Sequence, residues 1–124
     1  IKPLIDKGIE VSLFIDPDVN QVSAAYKTGA QFIEMHTGTY SNTFGTNKEE
    51  KSFEDLKNAA AFAQTLGLKV NAGHGLNYQN VIRMHEISGL YELNIGHTII
   101  ARAISVGLPQ AVKEMKELVT NEEI

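Results

Sequence analysis

Two short stretches carry the residue types that proton transfer and anion binding need. Lys69-Val70-Asn71-Ala72-Gly73-His74-Gly75-Leu76 is a β-like run that stops at a histidine held between two glycines, after which a helical pattern starts. Glu92-Leu93-Asn94-Ile95-Gly96-His97-Thr98 echoes it: strand, asparagine, Gly-His turn, helix. Histidine exchanges a proton near neutral pH, and flanking glycines let a substrate approach the backbone closely. A Gly-His-Thr turn that opens a helix can offer amides to a phosphate. Glu34 adds a carboxylate inside the apolar strand Gln31–Gly38. Its desolvation cost is easiest to rationalise at a functional site. His74, Glu34, Gly75, Gly96 and His97 are therefore the candidate site, one wall of a pocket at the carboxyl ends of strands. The plainer readings are a histidine that caps the next helix, a structural carboxylate paired with Lys or Arg, and an ordinary Thr-capped turn. His36 reads as a supporting or core histidine, His85 as a surface one, and Arg102 as solvent-facing.

The elements that must position these residues alternate along the chain. Strands are expected at Glu10–Asp16, Gln31–Gly38, Leu68–Gly75 and Tyr91–Gly96. Asp16-Pro17 ends the first strand, and a short helix with Val19, Val22 and Ala25 inward runs to Gly29. A long polar loop is expected from Thr39 to Lys48. A helix follows from about Lys48 to Leu66, capped by Gly67. Further helices are expected at Tyr78–Ile87, Thr98–Val106 and Pro109–Val119. The acidic run Glu49, Glu50, Glu54 and Asp55 suits the start of its helix. Ile1–Gly8 reads as the tail of a helix ending at Gly8, so the chain is expected to lack its beginning.

Repeated strand–helix units imply a parallel sheet with right-handed crossovers. One strand parity collects Val11, Leu13, Ile15, Ile33, Met35, Val70, Ala72, Leu93 and Ile95, an apolar face that belongs under helices. The other collects Ser12, Phe14, Asp16, Phe32, Glu34, His36, Asn71, Gly73, Glu92, Asn94 and Gly96. A doubly wound sheet would be apolar on both faces. One apolar and one polar face favours a barrel with a functional interior, and four strands are half of one. His74 shares the outward parity of Val70 and Ala72, but its glycines let the chain leave strand geometry, so its direction is open.

Composition narrows the class. The chain has 124 residues, 43% hydrophobic and 21% charged, which is one domain or less of ordinary globular type. A net charge of −4 speaks against nucleic acid as partner. No apolar window suggests a membrane span. The absence of cysteine excludes disulfides and thiolate metal sites and fits a cytoplasmic protein.

The four strand-end motifs resemble those of the pyridoxine 5′-phosphate synthases. They are Val11–Asp16, Phe32–Gly38, Val70–Leu76, and Glu92–His97 followed by Ile99-Ile100-Ala101-Arg102-Ala103. The resemblance runs in order from Val11 to about Leu118 and covers the carboxyl half of that family's (β/α)₈ TIM barrel, strands five to eight. It implies condensation of 3-amino-2-oxopropyl phosphate with 1-deoxy-D-xylulose 5-phosphate, losing water and phosphate as the pyridine ring closes. It implies no metal and no redox cofactor. It makes His74 the proton donor and Glu34 the stabiliser of developing positive charge or of an attacking water. Gly75, Gly96 and His97 become ligands of phosphorylated substrate or product. The implied partners are the amino-terminal half of the barrel, which holds the other acid–base glutamate and histidine, and further copies in a homo-oligomer, an octamer by resemblance. The rival readings are another phosphosugar barrel enzyme, an isomerase or aldolase, and a non-catalytic phosphate-binding βα module.

Overall fold

The structure, a computed structural model, describes residues 1–120. Four parallel strands lie side by side in sequence order: β1 (Ser12–Ile15), β2 (Phe32–His36), β3 (Lys69–Gly73) and β4 (Leu90–Asn94). The helices are α1 (Lys2–Ile5), α2 (Val19–Lys27), α3 (Gly38–Thr43), α4 (Glu49–Thr65), α5 (His97–Val106) and α6 (Leu108–Thr120), with a 3₁₀ segment at Val81–Glu86. Four parallel strands alternating with helices fit half of an α/β barrel.

The apolar parity faces the helices as expected. Ile33, Met35, Val70 and Ala72 are fully buried, and Leu13, Ile15, Leu93 and Ile95 pack against them. The long helix α4 covers this face with Phe53, Leu56, Ala59, Ala60 and Ala63. Its small alanines let helix and sheet approach closely, and Phe53 fills the space near Tyr40, the ring centroids 5.4 Å apart. The first turn of α2 is capped by Asp18, whose carboxylate accepts from the amides of Asn20 and Gln21.

The opposite face is set by register. Phe14, Glu34, Asn71 and Glu92 stand on one rung, and His36, Gly73 and Asn94 on the next toward the carboxyl ends. The alternation is interrupted once. β4 shifts register between Val70 and Asn71, pairing Val70 with Leu90 but Asn71 with Glu92. Tyr91 is the extra residue, and its ring turns onto the polar face against Phe32, 5.4 Å between centroids. Lys69 Nζ sits over both rings, 4.7 and 4.9 Å from their centres. Strict alternation assigned only Glu92, Asn94 and Gly96 of this strand to that face.

Two expected elements change character. The long polar loop from Thr39 to Lys48 is not a loop throughout, because Gly38–Thr43 is helical. Its sequence is poor in helix formers. A tertiary anchor overrides that tendency: Tyr40 is buried, its hydroxyl donating to the Asn80 carbonyl at 2.7 Å. The expected helix at Tyr78–Ile87 is a 3₁₀ turn confined to Val81–Glu86, with Val81 and Met84 inward. Asn77 and Asn80 exchange side-chain hydrogen bonds with each other's amides ahead of it, a local alternative to the helical ladder. The first helix stops at Ile5, three residues short of Gly8, and the remaining elements differ from expectation by one or two residues at their ends.

Candidate active site

The site is built where β3 stops. Gly73 ends the strand, and His74 turns sharply with φ of 81°, the only non-glycine positive φ among the described residues. A side chain in that region costs about 1–3 kcal/mol and needs fixing from outside. Thr37, fully buried at the end of β2, supplies it. Its amide donates to the Gly73 carbonyl at 2.8 Å, and its hydroxyl lies 2.7 Å from the Gly73 carbonyl and 2.6 Å from that of His74. Gly75 follows with φ of 78°, and a Cβ there would stand 2.8 Å from Cβ of Ser41 in α3. That position requires glycine both for its backbone and for the close approach of α3.

The left-handed turn answers the open question of direction. Parity aimed His74 outward, but its ring lies against the inward-facing His36, 4.8 Å between centroids. His36 also meets the edge of Phe14 at 5.2 Å, and its Nδ1 lies 3.4 Å from Asp16 Oδ1. Gly38 makes room for both imidazoles, since a Cβ there would stand 2.7 Å from His36 and 3.3 Å from His74. His74 remains exposed to solvent.

Glu34 stands one rung below His36 on β2, half-buried. Its Oε2 accepts from Asn94 Nδ2 at 2.9 Å. Between Glu34 and Glu92 on the same rung lies Asn71, 6% exposed, whose Oδ1 is buried without a hydrogen-bond partner. A buried acceptor left unpaired costs about 1–3 kcal/mol and is a place where a ligand or water fits.

His97 opens α5, whose N-cap Gly96 offers no side chain to the first amides. Gly75 and His97 line one cavity of about 270 Å³, with Leu76, Asn77, Thr98 and Ala101. A Cβ at Gly96 would meet nothing within 4 Å, so the chain itself does not demand glycine there and its backbone is approachable. Two of the candidate anion ligands thus share a cavity at a helix start. His74 adjoins it through the chain, and Glu34 does not line it. Arg102 forms a paired contact with Glu114 of α6, its Nε and Nη2 at 2.8 and 3.1 Å, which keeps the Glu114 carboxyl below its usual range. His85 Nε2 lies 2.8 Å from the Leu118 carbonyl. Among the described residues no group of three or more His, Cys, Asp or Glu is placed to hold a metal ion, and no helix is long and apolar enough to cross a membrane.

A family model described as pyridoxal phosphate biosynthesis protein PdxJ matches residues 1–121. The chain belongs to this family. Among its curated relatives is the pyridoxine 5′-phosphate synthase of Sulfurihydrogenibium sp. (strain YO3AOP1), 54% identical over 121 residues, 98% of this chain and 49% of that protein. The synthases of Neisseria meningitidis serogroup C and Geobacter sulfurreducens are 53% and 51% identical, each over 94% of this chain and 48% of theirs. The chain spans about half the length of these curated relatives, matching their carboxyl-terminal part. For a PdxJ family member, the open four-stranded sheet is half of the α/β barrel.

Sequence reasoning passed over several residues of this PdxJ half-barrel. Thr37, Ser41 and Asn80 act through contacts distant in sequence, and no local pattern announces them. Asn94 was legible in part, because it shares the inward parity of Glu34.

Proposed function

We propose that this chain is the carboxyl half of a pyridoxine 5′-phosphate synthase. The full protein condenses 3-amino-2-oxopropyl phosphate with 1-deoxy-D-xylulose 5-phosphate, releasing water and phosphate. The observation that carries this reading is the shared cavity of Gly75 and His97 beside the turned-in His74, at the carboxyl end of the sheet in a PdxJ family chain.

In this reading a substrate phosphate sits at the start of α5, against the Gly96 and His97 backbone and the amide of Gly75. That fixes the carbon skeleton over the end of β3. His74, solvent-facing and free of a direct carboxylate partner among the described residues, gives its proton to a departing hydroxyl. Glu34, inside the barrel, faces the positive charge that develops at the imine nitrogen or orients the attacking water. The other acid–base groups come from the amino-terminal half, which closes the eight-stranded barrel. The complete protein works in the cytoplasm as a homo-oligomer. Support for the association is the exposed apolar surface of α5 and α6, with Ile100, Ile104, Leu108 and Val112.

The test is kinetic. In the full-length protein His74→Ala and Glu34→Gln lower kcat by about 10²-fold or more, the scale of acid–base catalysis, while KM changes little. A variant with near-normal kcat removes that residue from the mechanism.

A further inference from the structure

Each carboxylate oxygen of Glu34 has its own neighbour. Oε2 accepts from Asn94 Nδ2 at 2.9 Å. Oε1 lies over Gly73, so close that a Cβ there would stand 2.5 Å from it. The same Cβ would stand 2.8 Å from the Asn94 backbone carbonyl, so β4 as well as Glu34 would have to move. Gly73 and Asn94 are paired on the rung above Glu34, toward the carboxyl ends. Glu34 therefore reaches up the sheet toward His74, and the two residues on that rung define where its head lies. No ion pair involves Glu34 among the described residues. A Lys or Arg partner would neutralise it, whereas an amide donor orients an ionised carboxylate and leaves its charge available.

We propose that Asn94 is a positioning residue for Glu34, acting with Gly73: the amide holds one oxygen while the missing Cβ leaves room for the other. This rests on the reading of Glu34 as a group that faces the reacting atoms. Asn94 does not itself touch them. A neutral donor is the partner suited to a carboxylate that must meet a developing cation, and a misplaced group of this kind loses catalysis steeply with distance.

The experiment uses the full-length protein. Asn94→Asp keeps the shape, removes the donor and sets a second carboxylate beside the first. The expected result is a fall in kcat of at least about tenfold with KM within about threefold and an unchanged melting temperature. The double variant Asn94→Asp/Glu34→Gln is expected to be no slower than Glu34→Gln alone, because one residue acts through the other. A crystal structure of Asn94→Asp is expected to have Glu34 turned away from Gly73. An Asn94→Asp enzyme with kcat within about twofold of the parent, losses that multiply in the double variant, or Glu34 unmoved in the crystal would each overturn the proposal. The crystal result does not depend on which reaction the enzyme catalyses. Normal turnover in the parent with any of these outcomes sinks the positioning role alone, and a parent that makes no pyridoxine 5′-phosphate sinks the reaction assigned above.

Discussion

Thr37 shows how one buried side chain can set the geometry of a turn distant from it in sequence. Its hydroxyl reaches the carbonyls of Gly73 and His74 while its amide donates to Gly73, so three contacts converge on the left-handed turn. Thr37→Val keeps the shape and removes the hydroxyl donor, leaving the Gly73 carbonyl with the residue-37 amide alone and the His74 carbonyl without its 2.6 Å partner. The expected loss is about 1–3 kcal/mol by denaturant titration. A loss under about 0.5 kcal/mol would mean that Thr37 does not hold the turn. Tyr40 offers a second readout. Burial pushes its phenol up to about 12, from about 10 in water. A raised value means that the folded state holds the proton more tightly. The stabilisation is full below pH 10 and is lost as pH rises from there toward 12. Alkaline titrations should show this loss in the parent and a shallower slope in Tyr40→Phe; identical slopes would contradict it. At this scale the sequence was half legible. His74 and Gly75 declared themselves by type and spacing. The inward turn of His74 came from a positive φ that parity cannot foresee.

The segment between β2 and α4 illustrates the same limit for elements. Gly-Thr-Tyr-Ser-Asn-Thr carries no helical periodicity, yet it forms α3 because Tyr40 plugs into the core beside Phe53. Beyond it the chain is clamped by Glu49, whose carboxylate accepts from the Gly45 amide and from Arg83 Nη1, each at 2.7 Å. Arg83 also reaches Glu50 and Glu86 and lies over the Phe53 ring at 3.9 Å. The acidic start of α4 is thus more than a complement to the helix dipole. The Gly45 amide first, and Arg83 second, hold the Glu49 carboxyl below its usual range. A lowered value gives stability that is present above the unfolded carboxylate pKa, about 4.3, and is lost as pH falls through the lower folded value. Glu49→Gln should therefore remove part of the acid sensitivity of unfolding, measured by urea titration from pH 6 to pH 3. Parallel stability curves for parent and variant would rule out the clamp. The strands were the most legible elements, since short runs with apolar residues at alternate positions and turn residues at their ends leave few alternatives. The 3₁₀ segment was the least, because the Asn77–Asn80 exchange replaces a helical turn without changing the apolar spacing.

For the molecule as a whole, the two-faced strands announced a barrel, and the register confirms one apolar and one mixed face. The mixed face is not closed by the chain described. Phe14 on β1 is 56% exposed and Tyr91 on β4 is 62% exposed, one at each edge of the open sheet. Rings of that size at unpaired strand edges call for covering structure, and the family relatives are about twice as long. The same sheet leaves the mouth of the Gly75–His97 cavity at its carboxyl end, where α/β barrels carry their chemistry. The most direct measurement is therefore made on the full-length protein, supplied with 3-amino-2-oxopropyl phosphate and 1-deoxy-D-xylulose 5-phosphate and followed by phosphorus NMR. Pyridoxine 5′-phosphate and inorganic phosphate should appear together in equal amounts, and neither when one substrate is withheld. Phosphosugar isomerisation or cleavage without ring closure, or no product from intact protein, would contradict the account.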